Sequence, residues 1–92
     1  MIVRISGEGQ WRLSDGAIEL VNEKDNAAVD AVSAGDEAAF RAAFGDLLST
    51  VRENGEELAD DDLSTSDVIL PPADLSFAEA GEEFTGEGLI PD

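Results

Sequence analysis

The chain has 92 residues with 22 acidic side chains, five basic ones and no histidine, which gives a formal charge of -17. It contains no cysteine, so disulfides, thiolate nucleophiles and Cys/His zinc sites are excluded. Histidine, the commonest general base, is absent, and most acidic side chains lie in polar runs where they stay ionised, so we predict that the chain is not an enzyme. Gly7-x-Gly9 lacks the third glycine and the following helix of a dinucleotide-binding fingerprint, and we predict no cofactor. A charge this negative repels the phosphates of nucleic acids and anionic lipid headgroups, so we expect neither nucleic acid nor membrane to be bound directly.

Residues 1–13 are predicted to form a β-hairpin. Apolar side chains recur at every second position on both sides of a glycine-containing loop: Val3, Ile5, Trp11 and Leu13. A period of two is typical of half-buried strands, and the glycines of Gly7-Glu8-Gly9 permit the positive φ of a tight turn. With these three residues as the loop, we expect Ile5 to lie opposite Trp11 on the buried face of the hairpin.

Residues 14–55 are predicted to form an antiparallel helical hairpin. Ser14 is a favourable N-cap, and a helical pattern follows it. The polar triplet Lys24-Asp25-Asn26 interrupts this pattern, which leaves one kinked helix and two short helices as alternatives. Ala34-Gly35-Asp36 is expected to end this region and to cap a second helix, which closes at Asn54-Gly55. The second helix has apolar side chains at helical spacing: Phe40, Ala43, Phe44, Leu47, Leu48 and Val51.

Residues 57–92 carry eleven acidic side chains and no basic one. Within them, Val68-Ile69-Leu70 is too short for a helix and is followed by two prolines, so we predict an extended segment at the edge of the sheet. A last short helix, capped by Ser76, is expected to carry three apolar residues: Phe77, Ala80 and Phe84. Leu89-Ile90 is expected to pack back on the core.

These elements predict a single α+β domain over residues 1–92. We expect a β-hairpin at 1–13 packed with an antiparallel helical hairpin at 14–55, then an acidic extended segment with a short helix at 56–92. No stretch approaches the ~18 consecutive apolar residues of a membrane span, and the N-terminus has no signal-peptide apolar region. A cytoplasmic location is therefore expected.

The acidity of the chain has several interpretations. Adaptation to a salt-rich cytoplasm accounts for it without any acidic binding site. An acidic mimic of nucleic acid and a divalent-cation-responsive binding protein are the alternatives. Asp60, Asp61 and Asp62 resemble the start of a calcium-binding loop, but Thr65 stands where that loop needs glycine and Pro71 where it needs glutamate. We therefore predict no specific metal site and keep the three aspartates as weak candidates.

A binding surface for a protein partner is predicted on the hairpin edge or, alternatively, on the extended segment. The expected hairpin register places Arg4 opposite Arg12, and two like charges so placed are unfavourable unless carboxylates lie nearby. Either the arginines pair with acidic side chains of the same chain, or they dock an acidic surface of a partner. The candidate partner-binding residues are Arg4, Trp11, Arg12, Asp67, Val68, Ile69 and Leu70.

Several blocks of the sequence resemble one protein family. The blocks are Met1-Ile2-Val3-Arg4-Ile5 followed by Gly7-Glu8-Gly9-Gln10, then Ala34-Gly35-Asp36-Glu37, then Ser66 to Asp74, and finally Gly88-Leu89-Ile90-Pro91. In this order they resemble the PspA-associated family, PspAA, over essentially the whole chain. The chain departs from that pattern at Trp11, where tyrosine is more usual, and in the polar triplet Lys24-Asp25-Asn26.

The resemblance implies association with PspA, the ESCRT-III-like coiled-coil protein that coats and remodels the cytoplasmic membrane face in the phage-shock envelope-stress response. It implies a non-catalytic accessory or regulatory role, with contact to the inner face of the cell membrane made indirectly through PspA. It assigns no catalytic residue. Self-association of the chain into a homo-oligomer is left open.

Overall fold

The computed structural model describes residues 1–59 and 65–83 of the chain, and its architecture is α+β as predicted. An N-terminal β-hairpin leads into two long helices, and two short strands and a short helix follow. The elements in chain order are β1 (Ile2–Ile5), β2 (Gly9–Arg12), α1 (Asp15–Ser33), α2 (Glu37–Asn54), β3 (Glu56–Glu57), β4 (Val68–Leu70) and α3 (Phe77–Glu83). The expectations for Asp60–Asp62, Phe84 and Leu89-Ile90 lie outside the described residues.

Helix α1 is one continuous helix of 19 residues, so the polar triplet at its centre does not divide it. Ser14 is its N-cap, as predicted, and the Ser14 hydroxyl accepts a hydrogen bond from the Ala17 N–H at 3.3 Å. Asp25, the middle residue of the triplet, is completely buried. The triplet therefore continues the helix and turns one of its three side chains inward.

The turn between the helices confirms the predicted role of Ala34-Gly35-Asp36. Gly35 has φ +69°, the left-handed conformation that commonly ends a helix. The Gly35 N–H donates to the Val32 carbonyl and the Asp36 N–H to the Ala31 carbonyl, each at 3.0 Å, which is the Schellman pattern. The Asp36 carboxylate then accepts from the Ala39 N–H at 3.0 Å and so begins α2.

The hairpin forms as predicted, but the predicted register is wrong by two residues. Ile5 lies opposite Gly9, and Val3 lies opposite Trp11. The reason is the turn: the Glu8 N–H donates to the Ile5 carbonyl at 2.9 Å, and Gly7 takes the positive φ of +82°. The loop is therefore Ser6 to Glu8, one residue earlier than expected. Because the shift is even, every side chain stays on its predicted face.

The sheet has four strands in the order β3-β2-β1-β4. Strand β4 is an edge strand, as predicted, and it pairs in parallel with β1, whereas β3 pairs antiparallel with β2. One face of the sheet packs against the helices and supplies five buried side chains: Val3, Ile5, Trp11, Val68 and Leu70. From α2, Phe40 and Phe44 stack with their ring centroids 5.4 Å apart within the same core.

Helix α3 packs over the helical hairpin. Ser76 caps it as predicted: its hydroxyl accepts from the Glu79 N–H at 3.2 Å, and the Glu79 carboxylate accepts in return from the Ser76 N–H at 3.4 Å, which forms a capping box. The Phe77 ring lies 5.8 Å from that of Phe40, and Arg41 donates to the Leu75 carbonyl. The two contacts fix the start of α3 and the segment before it onto α2.

None of the helices in the described part of the chain has the length and apolarity that crossing a membrane requires.

Candidate partner-binding surface

The sheet has a second face that points away from the helices, and most of the predicted polar candidates lie on it. Successive side chains of a strand point to opposite faces, so the residues between the core positions turn outward. We call this the outer face, and it comprises Ile2, Arg4, Gln10, Arg12, Glu56 and Ile69. Arg4, Arg12, Glu56 and Ile69 are exposed, Ile2 is half-buried and Gln10 is buried.

One row of the outer face runs from Ile69 through Arg4 to Gln10. Ser66 lies over this row and links two of its members. The Ser66 hydroxyl donates to the Gln10 side-chain oxygen at 2.6 Å and accepts from the Arg4 Nε at 3.4 Å. Gln10 is only 7% exposed, so this contact anchors Arg4 to a fixed point of the sheet.

The neighbouring row runs from Asp67 through Ile2 and Arg12 to Glu56. The Asp67 carboxylate accepts a hydrogen bond from the Ile2 N–H at 2.8 Å, so it secures the start of β1. Arg12 lies opposite Ile2 on one side and Glu56 on the other. Within residues 1–59 and 65–83, the Arg12 guanidinium takes part in no hydrogen bond and no ion pair, and it is therefore accessible to a partner.

The expectation that Arg4 lies opposite Arg12 is wrong, because the register differs. Arg4 faces Gln10 instead, and the two arginines are diagonal neighbours on one face. Diagonal positions on adjacent strands are roughly 7–8 Å apart, which is within the span of a single binding helix or strand. The structure thus brings the two guanidinium groups onto one surface without placing them in direct opposition.

Three of the predicted partner-binding residues lie in the core. Trp11 is 6% exposed, Val68 is 8% exposed and Leu70 is fully buried. Their side chains point to the helices, on the side of the sheet opposite the outer face. Ile69, between the last two, is 61% exposed and points outward beside Arg4.

Four further residues at this surface were not predicted from the sequence as partner-binding residues: Ile2, Gln10, Glu56 and Ser66. Gln10 could have been found from alternation, since it shares a face with Arg12. Ser66 and Glu56 carry no local signal, because Ser66 lies outside any strand and β3 has only two residues. Their places depend on pairing between segments that are far apart in the chain.

An ion pair ties the hairpin turn to the helices. The Arg52 guanidinium, in the last turn of α2, holds the Glu8 carboxylate with two hydrogen bonds of 2.8 and 2.6 Å. These bonds, together with the charge attraction, lower the pKa of Glu8 below its usual value of 4.5. The same bonds raise the pKa of Arg52.

The acidic side chains of the described residues do not gather into a metal site. Among residues 1–59 and 65–83, no cluster of three or more acidic side chains is placed to hold a metal ion. The weak candidates Asp60, Asp61 and Asp62 lie outside those ranges.

Comparison with known proteins gives one match. The family model of the PspA-associated protein, PspAA, matches residues 1–92, the whole chain. No curated protein and no solved structure matches the chain. Since the family model covers every residue from the hairpin to the C-terminus, the chain belongs to the PspA-associated protein family.

Proposed function

We propose that this chain is a non-catalytic accessory partner that regulates a PspA-like membrane-remodelling protein in the envelope-stress response, in the cytoplasm at the inner face of the cell membrane. Membership of the PspA-associated family associates the chain with PspA and suggests an accessory protein rather than an enzyme. The finer role, and the surface that carries it, are inferred from the geometry of the outer face.

The observation that carries the proposal is the placement of the basic side chains. The chain has only five of them against 22 acidic ones, yet Arg4 and Arg12 lie side by side on the outer face. Both project from strands of a hydrogen-bonded sheet, and Arg4 is further held by Ser66. Two guanidinium groups on one face of a sheet are suited to carboxylates on a partner, because arginine binds carboxylates through paired hydrogen bonds.

The rest of the outer face gives the contact an apolar part. Ile69 is largely exposed beside Arg4, and Ile2 is half-buried beside Arg12. Interfaces commonly combine an apolar centre with charged groups that set orientation. We therefore infer that the outer face docks an acidic, amphipathic helix of the PspA-like protein, with the carboxylates of that helix on Arg4 and Arg12.

Contact with the membrane is indirect in this proposal. Anionic headgroups repel a chain of charge -17. The PspA-like protein supplies the membrane contact, and this chain binds the PspA-like protein.

The experiment is co-purification of the chain with a PspA homologue at several salt concentrations. Arg12→Glu is expected to weaken retention about tenfold, a loss of ~1.4 kcal/mol, because it replaces attraction by repulsion at the interface. The double variant Arg4→Glu/Arg12→Glu is expected to abolish retention. Lys24→Glu is the matched control, since it makes the same change of charge on α1, away from the sheet.

The outcomes distinguish a failure of the proposed partnership with PspA from a failure of the proposed binding surface. Absence of any complex with the unaltered chain at every salt concentration overturns the partnership. A complex that Arg12→Glu and Lys24→Glu weaken equally shows a general charge effect and removes the outer face from the proposal.

A further inference from the structure

The two edges of the sheet are built differently. Strand β3 consists of two exposed glutamates, Glu56 and Glu57, and a short charged edge strand discourages pairing with another chain. Strand β4 is apolar throughout, and Ile69 at its centre is 61% exposed. The other exposed large apolar side chain of the described residues, Leu20, is 38% exposed and lies on a helix.

The backbone of β4 also has groups that point away from the sheet. The Leu70 carbonyl faces β1, because it accepts a hydrogen bond from the Ser6 N–H at 3.0 Å. Neighbouring residues of a strand present their backbone groups to opposite sides, so the N–H and C=O of Ile69 point to the outer edge. Within residues 1–59 and 65–83, no further strand pairs with β4 on that side.

A groove of about 430 Å³ lies beside this edge, between the end of β4 and the start of α3. Ile69 forms part of its wall, and two consecutive prolines, Pro71 and Pro72, form another part. Asp74 and Glu79 also line the groove, and both are acidic, with no basic side chain among the lining residues. The groove therefore combines an apolar wall with negative charge.

We propose that β4 takes up an extended, basic segment of a protein partner as an additional strand. The partner backbone bonds to the outward N–H and C=O of Ile69, and an apolar partner side chain covers the Ile69 side chain. A neighbouring lysine or arginine of the segment reaches Asp74 and Glu79 in the groove. This inference rests on the proposed function in one respect, which is that the chain works by binding another protein.

Charge complementarity selects this occupant over a second copy of the chain. Edge-to-edge pairing of two copies brings two molecules of charge -17 together and adds Asp74 and Glu79 of each to the contact. Like charges so placed oppose association. A basic segment is instead attracted to the chain, and its charge is neutralised in the groove.

The first test measures amide exchange in the isotope-labelled full-length chain. The probe is a synthetic peptide in which valine and lysine alternate, and the control is the same peptide with every backbone nitrogen methylated, which removes all of its backbone N–H donors with unchanged charge. The alternating peptide is expected to slow exchange of the Ile69 N–H at least tenfold and to shift the signals of Asp74 and Glu79. The N-methylated peptide is expected to do neither.

Three outcomes of this test overturn the proposal. Equal binding of both peptides shows attraction by charge alone. Protection of the Ile69 N–H in the free chain shows that the edge is already occupied. A doubled molecular mass in sedimentation, with that same protection, identifies the occupant as a second copy.

The second test uses matched variants and the PspA-like protein. Ile69→Lys is expected to lower peptide affinity and retention of the PspA-like protein at least tenfold, because it puts a positive charge where an apolar contact forms. Leu20→Lys makes the same change at the other exposed apolar site and is expected to leave both unchanged. Circular dichroism of both variants identifies any loss of folding, and Ile69→Thr, which keeps an uncharged β-branched residue, is then used in place of the lysine variant.

The failure of this inference differs from the failure of the proposed function. Because Ile69 also belongs to the outer face, retention that survives Ile69→Lys but not Arg4→Glu/Arg12→Glu overturns the β4 assignment and limits the outer-face contact to the two arginines. Absence of retention with the unaltered chain overturns the proposed function. The peptide experiment then tests, without the PspA-like protein, whether β4 binds an extended basic segment.

Discussion

Strands β3 and β4 occupy the two edges of one sheet, yet they differ in what they contribute to the fold. Strand β4 places Val68 and Leu70 in the core. Strand β3 places no side chain in the core, and both of its glutamates are exposed. One edge is therefore part of the packed structure and also exposes an apolar side chain, whereas the other edge protects the sheet with charge.

The largest expected change in the free energy of unfolding distinguishes the two edges of the sheet. Leu70→Ala is expected to lower the free energy of unfolding by ~2–5 kcal/mol, because it removes a fully buried side chain and leaves a cavity. Glu57→Ala on β3 is expected to change it by less than about 0.5 kcal/mol. Fluorescence of the single tryptophan, Trp11, during denaturant unfolding measures both, since this side chain is buried.

Ile69→Ala is the control on the same strand. Its side chain is 61% exposed, so its truncation is expected to cost less than about 1 kcal/mol. If Leu70→Ala costs no more than Ile69→Ala, β4 is not packed into the core and the contrast between the edges is lost.

The next largest expected change in stability concerns Gly55, the residue before β3. A Cβ on Gly55, between α2 and β3, would lie 2.7 Å from the Val51 carbonyl oxygen and 2.8 Å from the Trp11 Cβ. Gly55→Ala is therefore expected to cost ~1–3 kcal/mol through overpacking. The unfolding midpoint measures this, and it would show that β3 depends on close backbone approach rather than on its own side chains.

Gly45→Ala provides the matched comparison on α2. A Cβ there meets no atom within 4 Å, and alanine favours a helix interior over glycine by up to ~1 kcal/mol. Gly45→Ala is thus expected to stabilise the chain. Stabilisation by both substitutions contradicts the close packing at Gly55, and destabilisation by both contradicts the open space at Gly45.

The helices could be predicted from the sequence because their signals are local. Ser14, Gly35 and Asp36 act within a few residues of their own positions, and the structure shows each in its expected cap. The hairpin loop was misplaced by one residue because both Gly7 and Gly9 accept a positive φ. In the structure Gly7 takes it, while Gly9 lies in β2 with the Trp11 ring close to its backbone.

The partner-binding surface was predicted less completely because it depends on long-range pairing. Alternation identified Arg4 and Arg12 as outward-facing, and the edge position of β4 followed from its two prolines. The parallel pairing of β4 with β1 joins segments more than 60 residues apart, since Arg4 lies opposite Ile69. No local pattern specifies such a pair, nor the position of Glu56 beside Arg12.

A smaller effect tests the charge on the β3 edge. Arg12→Glu places a carboxylate opposite Glu56, and like charges at opposed positions are expected to cost ~0.2–1 kcal/mol at low salt. Adding Glu56→Arg restores opposite charges and is expected to recover most of the loss. Unfolding midpoints of the two single variants and the double variant give the coupling energy between positions 12 and 56. A coupling energy of zero shows that the charge at position 12 does not interact with Glu56.

The smallest expected change in stability lies away from both edges of the sheet and measures the contribution of one surface ion pair. Glu8→Gln breaks the ion pair with Arg52 and is expected to cost ~0.2–1 kcal/mol at neutral pH, because both side chains are about one-third exposed (32% for Glu8 and 38% for Arg52). The pKa of Glu8 is lowered in the folded chain. Its stabilising effect is therefore complete above the usual glutamate pKa of 4.5 and is lost as the pH falls through the lowered value.

Glu53→Gln removes the same charge from an exposed position on α2 and corrects for relief of general repulsion. The difference between the two variants should disappear in acid. A difference that persists at pH well below the lowered pKa cannot come from the ionised pair and assigns the stability of the hairpin turn to its backbone instead.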